Sequence, residues 1–235
     1  MTEFTEAGRK RGPASPEHPT YYITHSMGYQ SKGDAIKETQ AAQEDVEPVL
    51  VEALAKTGFR KAGPQDRPQI AIIYMWGTHN TLDREYDAAS FRNGMDRAAL
   101  VGGTRWANRL GRAVNDTEDL VDAMGPTNVF QHMSPIRVFT YLEKNERLLN
   151  QVSGSCYFVV ASAYDYDLLA KNQRQLLWRT RLTVAANGVS QKQSLPSLIS
   201  YSAPYFGREM KEAEIVRLPA VPAGHVKMGD PKVVR

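Results

Sequence analysis

A chain of 235 residues, 42% hydrophobic and 23% charged, is long enough for one generous domain and has the composition of an ordinary globular protein. Its net charge of +3 is too small to mark a nucleic-acid binder by itself. The single cysteine, Cys156, excludes an internal disulfide framework, and no apolar run approaches the roughly 20 residues that span a bilayer.

Residues 1–20 are rich in charge, glycine and proline (Pro13, Pro16, Pro19), and bury too little apolar area to offset their ordering entropy. They read as a disordered arm whose basic run Gly8–Arg11 is solvated or touches phosphate or lipid headgroups. The arm lacks the apolar core of a signal peptide, so the chain is expected in the cytoplasm, or in the periplasm or envelope if a signal precedes Met1. Tyr21–Tyr29 (YYITHSMGY) predicts a strand ending near Gly28. A helix follows, with Asp45 as N-cap, Pro48 in the first turn, an apolar stripe of Val46, Val49, Leu50, Ala53 and Leu54, and Gly58 as terminator.

Gln69–Gly77 (QIAIIYMWG) is apolar on both faces, the mark of a central strand in a covered sheet. From about residue 78 to 155 the pattern turns helical, over 86–100, 106–124 and 135–152, and reads as an insertion between two strands. Tyr157–Tyr164 is again apolar on both faces. Gln175–Val184 alternates, with Trp178 among the residues of one face and Arg179 and Arg181 on the other, which predicts a strand near an edge. The acidic YDYD (Tyr164–Asp167) joins these two strands as a hairpin connection. Asn187–Gly188 marks a turn and Leu195–Tyr201 a short covering helix.

The sum is an α+β fold with a small mixed or antiparallel sheet: strand–helix–strand, then a hairpin, helices largely on one face, and a helical insertion. Residues 21–207 form the single domain, and 208–235 an extended tail.

An early tyrosine-rich strand, ALAKTGFRKA (Ala53–Ala62), PQIAIIYMWG (Pro68–Gly77) and YFVVASAYDYD with the returning LLWRTRLTV together resemble uncharacterised bacterial envelope, lipoprotein-like domains of unknown function. The resemblance covers about half the chain and none of its motifs is catalytic. It implies an envelope interaction module. The sequence differs from a lipoprotein in having no cysteine near its start.

Chemistry leaves few candidates. The five histidines, His18, His25, His79, His132 and His225, have no metal-ligand spacing, and no cofactor motif occurs. Gly102–Gly103 with Arg105 offers at most a small anion nest, against the plainer reading of a helix end. Cys156 opens an apolar strand with no histidine near it in sequence, which suits a buried structural thiol. Carboxylate pairs at Asp83 with Glu85 and at Glu118 with Asp119 fall at helix starts or on exposed faces.

Strand ends remain. His79 and Asp165 would form an acid–base pair if the two ends met under the insertion. Three functions follow. The first is a non-enzymatic interaction or structural module binding a protein, a second copy included, through Trp76, Tyr164, Tyr166, Arg179 and Arg181 or by strand addition. The second is a hydrolase-like enzyme using His79 and Asp165. The third is a weak nucleic-acid or anionic-surface binder acting through the arm, although its charge is slight.

Overall fold

The computed structural model describes residues 1–33, 40–80, 88–124, 143–186 and 188–216. The chain alternation read above produces β2 (Thr20–Gly33), β4 (Ile70–Asn80), β5 (Cys156–Asp165) and β6 (Leu176–Ala185), joined by two short strands, β1 (Thr2–Phe4) and β3 (Phe59–Lys61). They build one sheet in the order β1-β6-β5-β4-β2-β3. β2 runs parallel to both its neighbours and the other pairs are antiparallel, so the sheet is mixed. The described helices are α1 (Glu6–Arg11), α2 (Gln43–Ala55), α3 (Ala88–Gly102), α4 (Thr104–Met124), α5 (Glu143–Ser153), α6 (Tyr166–Leu169) and α7 (Gln191–Tyr201). The fold is α+β.

The two-sided apolar strands sit centrally because both their faces are covered. On one face Ile70, Ile72, Tyr74 and Trp76 of β4 and Val159 and Ala161 of β5 pack under α2 and α7, which contribute Leu50, Leu54, Leu195 and Ile199. Each large side chain buried this way is worth about 1.5–3 kcal/mol. On the other face Phe158 and Val160 meet Leu100 of α3. Helices therefore flank both faces, with α3, α4 and α5 lying in sequence between β4 and β5. The helix expected from residue 135 is described only from Glu143, and the candidates Asp83, Glu85, His132, Asn187 and His225 lie outside the described residues.

The first twenty residues differ from expectation. β1 pairs with β6, Met1 is 8% exposed, and the Arg181 N–H donates to Met1 O at 2.8 Å. Thr2 Oγ1 bonds Thr180 Oγ1 at 2.8 Å and donates to Tyr205 O at 2.6 Å. α1 is capped by Thr5, and its Gly8 lies so close to Leu177 O that a Cβ would meet that oxygen at 2.0 Å. Order here comes from main-chain pairing and hydroxyl bonds, which leave no apolar periodicity in the sequence. β6 is thus second from the edge, with β1 outside it.

Three boundaries move for local reasons. β2 continues to Gly33 past Gly28, whose φ of 71° accommodates a bulge between Ser26 and Tyr29. α2 begins at Gln43, so Asp45 is its third residue and accepts from the Ala42 N–H at 3.0 Å, while Pro48 falls inside the helix. α7 starts at Gln191 because Ser190 caps it. The YDYD connection contains the short helix α6 where a plain hairpin turn was expected.

Candidate functional site

The expected acid–base pair does not form. β4 and β5 are antiparallel, with Ile70 opposite Asp165 and His79 opposite Cys156. His79 and Asp165 thus lie a full ladder apart, on the order of 30 Å at about 3.4 Å per residue. Asp165 caps α6, accepting from the Leu168 N–H at 3.0 Å, and pairs with Arg11 at 3.3 Å. His79 is 1% exposed and its Nδ1 lies 3.3 Å from Arg97 Nη1. Burial, and then the Arg97 charge, lower its pKa to about 4. A neutral, enclosed imidazole is badly placed to trade protons with a substrate.

Cys156 is 0% exposed, and burial pushes its thiol up to about 12, far from a reactive thiolate. Among the described residues no group of three or more His, Cys, Asp or Glu is arranged to hold a metal ion. No described helix is long and apolar enough to cross a membrane.

Two residues of the expected partner surface are interior. Trp76 is 3% exposed and donates its indole N–H to Ala41 O at 3.0 Å. Arg181, with a side chain 10% exposed, pairs with Glu3. The Glu3 carboxylate also accepts from the N–H groups of Thr104 at 3.0 Å and Arg105 at 3.4 Å. The anion drawn to the Gly102–Gly103 corner is thus one of the chain's own carboxylates, seated at the start of α4. The basic run of the arm is likewise engaged. Arg9 pairs with Glu209 at 2.7 Å, Lys10 with Glu6 at 2.8 Å and Arg11 with Asp165.

Two accessible features of the described residues bear on the expected partner surface. Tyr164 and Arg179 border a groove of about 270 Å³ between the sheet and α3, which Lys32 and Ser162 also line; Tyr166 is half-buried at the nearby sheet end. The second feature is the outer edge of β2. β3 pairs only with Thr20–Tyr22, and its last bond there is the Ala62 N–H to Tyr22 O at 2.8 Å. Among the described residues no strand pairs with that edge from Ile23 to Gly33. By strand alternation Thr24 and Ser26 aim their N–H and C=O groups the same way as Tyr22, outward. Ile23 and Met27 stand there 39% and 56% exposed.

Sequence reasoning found Arg179 and Tyr164 but missed Lys32, because ending the strand at Gly28 removed it from the sheet, and Ser162, because it sits inside a run read as two-sided core. The β2 edge was hidden for the same reason. A strand pattern resuming after Gly28, with Tyr29, Gln30 and Ser31, was the available signal.

No protein-family model, curated protein or solved structure matches the chain.

Proposed function

We propose that the protein is a non-enzymatic interaction module that takes an extended segment of a protein partner, another copy of this chain included, as an added strand on β2. The observation that supports this is the length of edge left unpaired among the described residues. A strand of fourteen residues is covered by β3 over only three, and two exposed apolar side chains flank the remainder. The bulge at Ser26–Tyr29 divides the edge into short stretches, which discourages open-ended pairing and favours a partner of matching length. The resemblance to envelope domains supports a partner in the bacterial cell envelope. The separation of His79 from Asp165 counts against the hydrolase reading, and the ion-paired arm against the anionic-surface reading.

A displayed library of extended peptides, selected on the full chain, tests the idea. Selected peptides lose binding to Thr24→Pro and Ser31→Pro, which remove edge groups while leaving the β4 ladder intact. Peptides that bind both variants as well as the parent would defeat the proposal.

A further inference from the structure

The groove facing α3 crosses β2, β4, β5 and β6. Its floor is apolar, built from Ile73, Met75 and Val160. At the β6 end Arg179 donates from Nε to Ser162 Oγ at 2.9 Å. Among the described residues no carboxylate pairs with Arg179, and its two terminal amino groups have no hydrogen-bond partner. Arg181, one position along on the same strand face, differs because Glu3 neutralises it. Lys32 brings a second cation from the β2 end, its Nζ 6.0 Å from the Phe158 ring centroid. Asp96, on the exposed rim, is the acidic residue among those that line the groove.

The geometry points to a binding site for a small amphipathic carboxylate, its head held end-on by the Arg179 guanidinium and its hydrocarbon body laid on Ile73, Met75 and Val160. A guanidinium fork matches the two oxygens of a carboxylate through parallel hydrogen bonds. The serine bond to Nε fixes the plane of that fork in advance, which reduces the entropy lost on binding. Size restricts the body. At about 270 Å³ the groove lies just under the roughly 300 Å³ at which ligand pockets usually begin, which suits a small body. Charge complementarity excludes a cation, and the apolar floor favours a chain or ring over a bare inorganic anion. The site shares Met27 with the β2 edge, but the residues that would hold the carboxylate, Arg179 with Ser162, lie on β6 and β5, so either function can exist without the other.

The test is calorimetric titration of the full chain with octanoate, octan-1-ol and acetate. Octanoate saturates a single site. Octanol, which keeps the body and lacks the charge, and acetate, which keeps the head and lacks the body, each bind at least about tenfold more weakly. Arg179→Gln weakens octanoate at least about tenfold and leaves octanol unchanged, and Lys32→Gln weakens octanoate by a smaller factor. Absence of saturable octanoate binding to the parent chain overturns the proposal. So does octanol binding as tightly as octanoate, a comparison that needs no variant to fold. Arg179→Gln with unchanged octanoate affinity, in a chain of native circular dichroism, overturns it as well.

Discussion

His79 and Asp165 mark opposite ends of the same β4–β5 ladder, one across from Cys156 and the other across from Ile70. Their roles are correspondingly local. Asp165 holds the start of α6 through the Leu168 N–H. Asp165→Ala is expected to cost about 1 kcal/mol in urea unfolding, and Asp165→Asn much less, because asparagine still caps. Equal losses from the two substitutions would show that the charge toward Arg11, and not the cap, is what matters.

His79 carries a pH dependence of definite sign. Its pKa is about 4 in the fold against about 6.5 in an unfolded chain, so the unfolded chain takes up the proton first. The stability tied to neutral His79 is complete above about pH 6.5 and is lost as pH falls toward 4. In His79→Gln that part of the acid slope disappears. Unfolding free energies of the parent and the variant, measured between pH 7 and 4, should converge as pH falls, and parallel curves would contradict the assignment.

The Glu3–Arg181 pair ties β1 to β6 and to the start of α4. Burial alone would raise the Glu3 pKa, but the Arg181 charge and the bonds from Thr104 and Arg181 outweigh it and hold the carboxyl below its usual range. Glu3→Gln leaves the Arg181 charge in a site only 10% exposed and is expected to cost about 3 kcal/mol at pH 7. Adding Arg181→Met should restore more than half of that loss, since no unpaired charge then remains. In the parent chain this contribution is present above the ordinary carboxylate pKa and fades as pH drops through the lowered value. Chemical denaturation of the parent and the two variants decides it.

Cys156 is expected to be inert in the folded chain. Fully buried, with a thiol pushed up to about 12, it offers almost no thiolate at neutral pH. Ellman's reagent should therefore titrate it only at the rate of unfolding, and fast labelling of the native protein would refute the placement.

Elements whose side chains declare their own environment were readable from sequence. Two-sided apolar runs located β4 and β5, the stripe Val46–Leu54 located α2, and Gly58, with a φ of 88°, ended it. β1 and α1 were not readable, because Thr2, Glu3 and Thr5 are held by partners more than 100 residues away, at Leu176, Arg181 and Tyr205. The candidate site was half legible for the same reason. Alternation correctly put Arg179 and Arg181 on one face, yet only the arrival of Glu3 separates the buried, neutralised arginine from the one that faces the groove. Trp76, near a strand end, invites a surface placement, whereas it is buried and its indole N–H donates to Ala41 O.

The central claim, that β2 receives an added strand, is tested most directly by amide hydrogen exchange across residues 23–33. Exchange is followed in the full chain over a concentration series and then with a selected extended peptide bound. Thr24 and Ser26 are expected to exchange rapidly in the isolated chain and to become protected on self-association or peptide binding, while the β4-facing amides of Ile23 and His25 stay protected throughout. Outward amides already slow in the dilute chain, or a bound partner that leaves them unchanged, would contradict it.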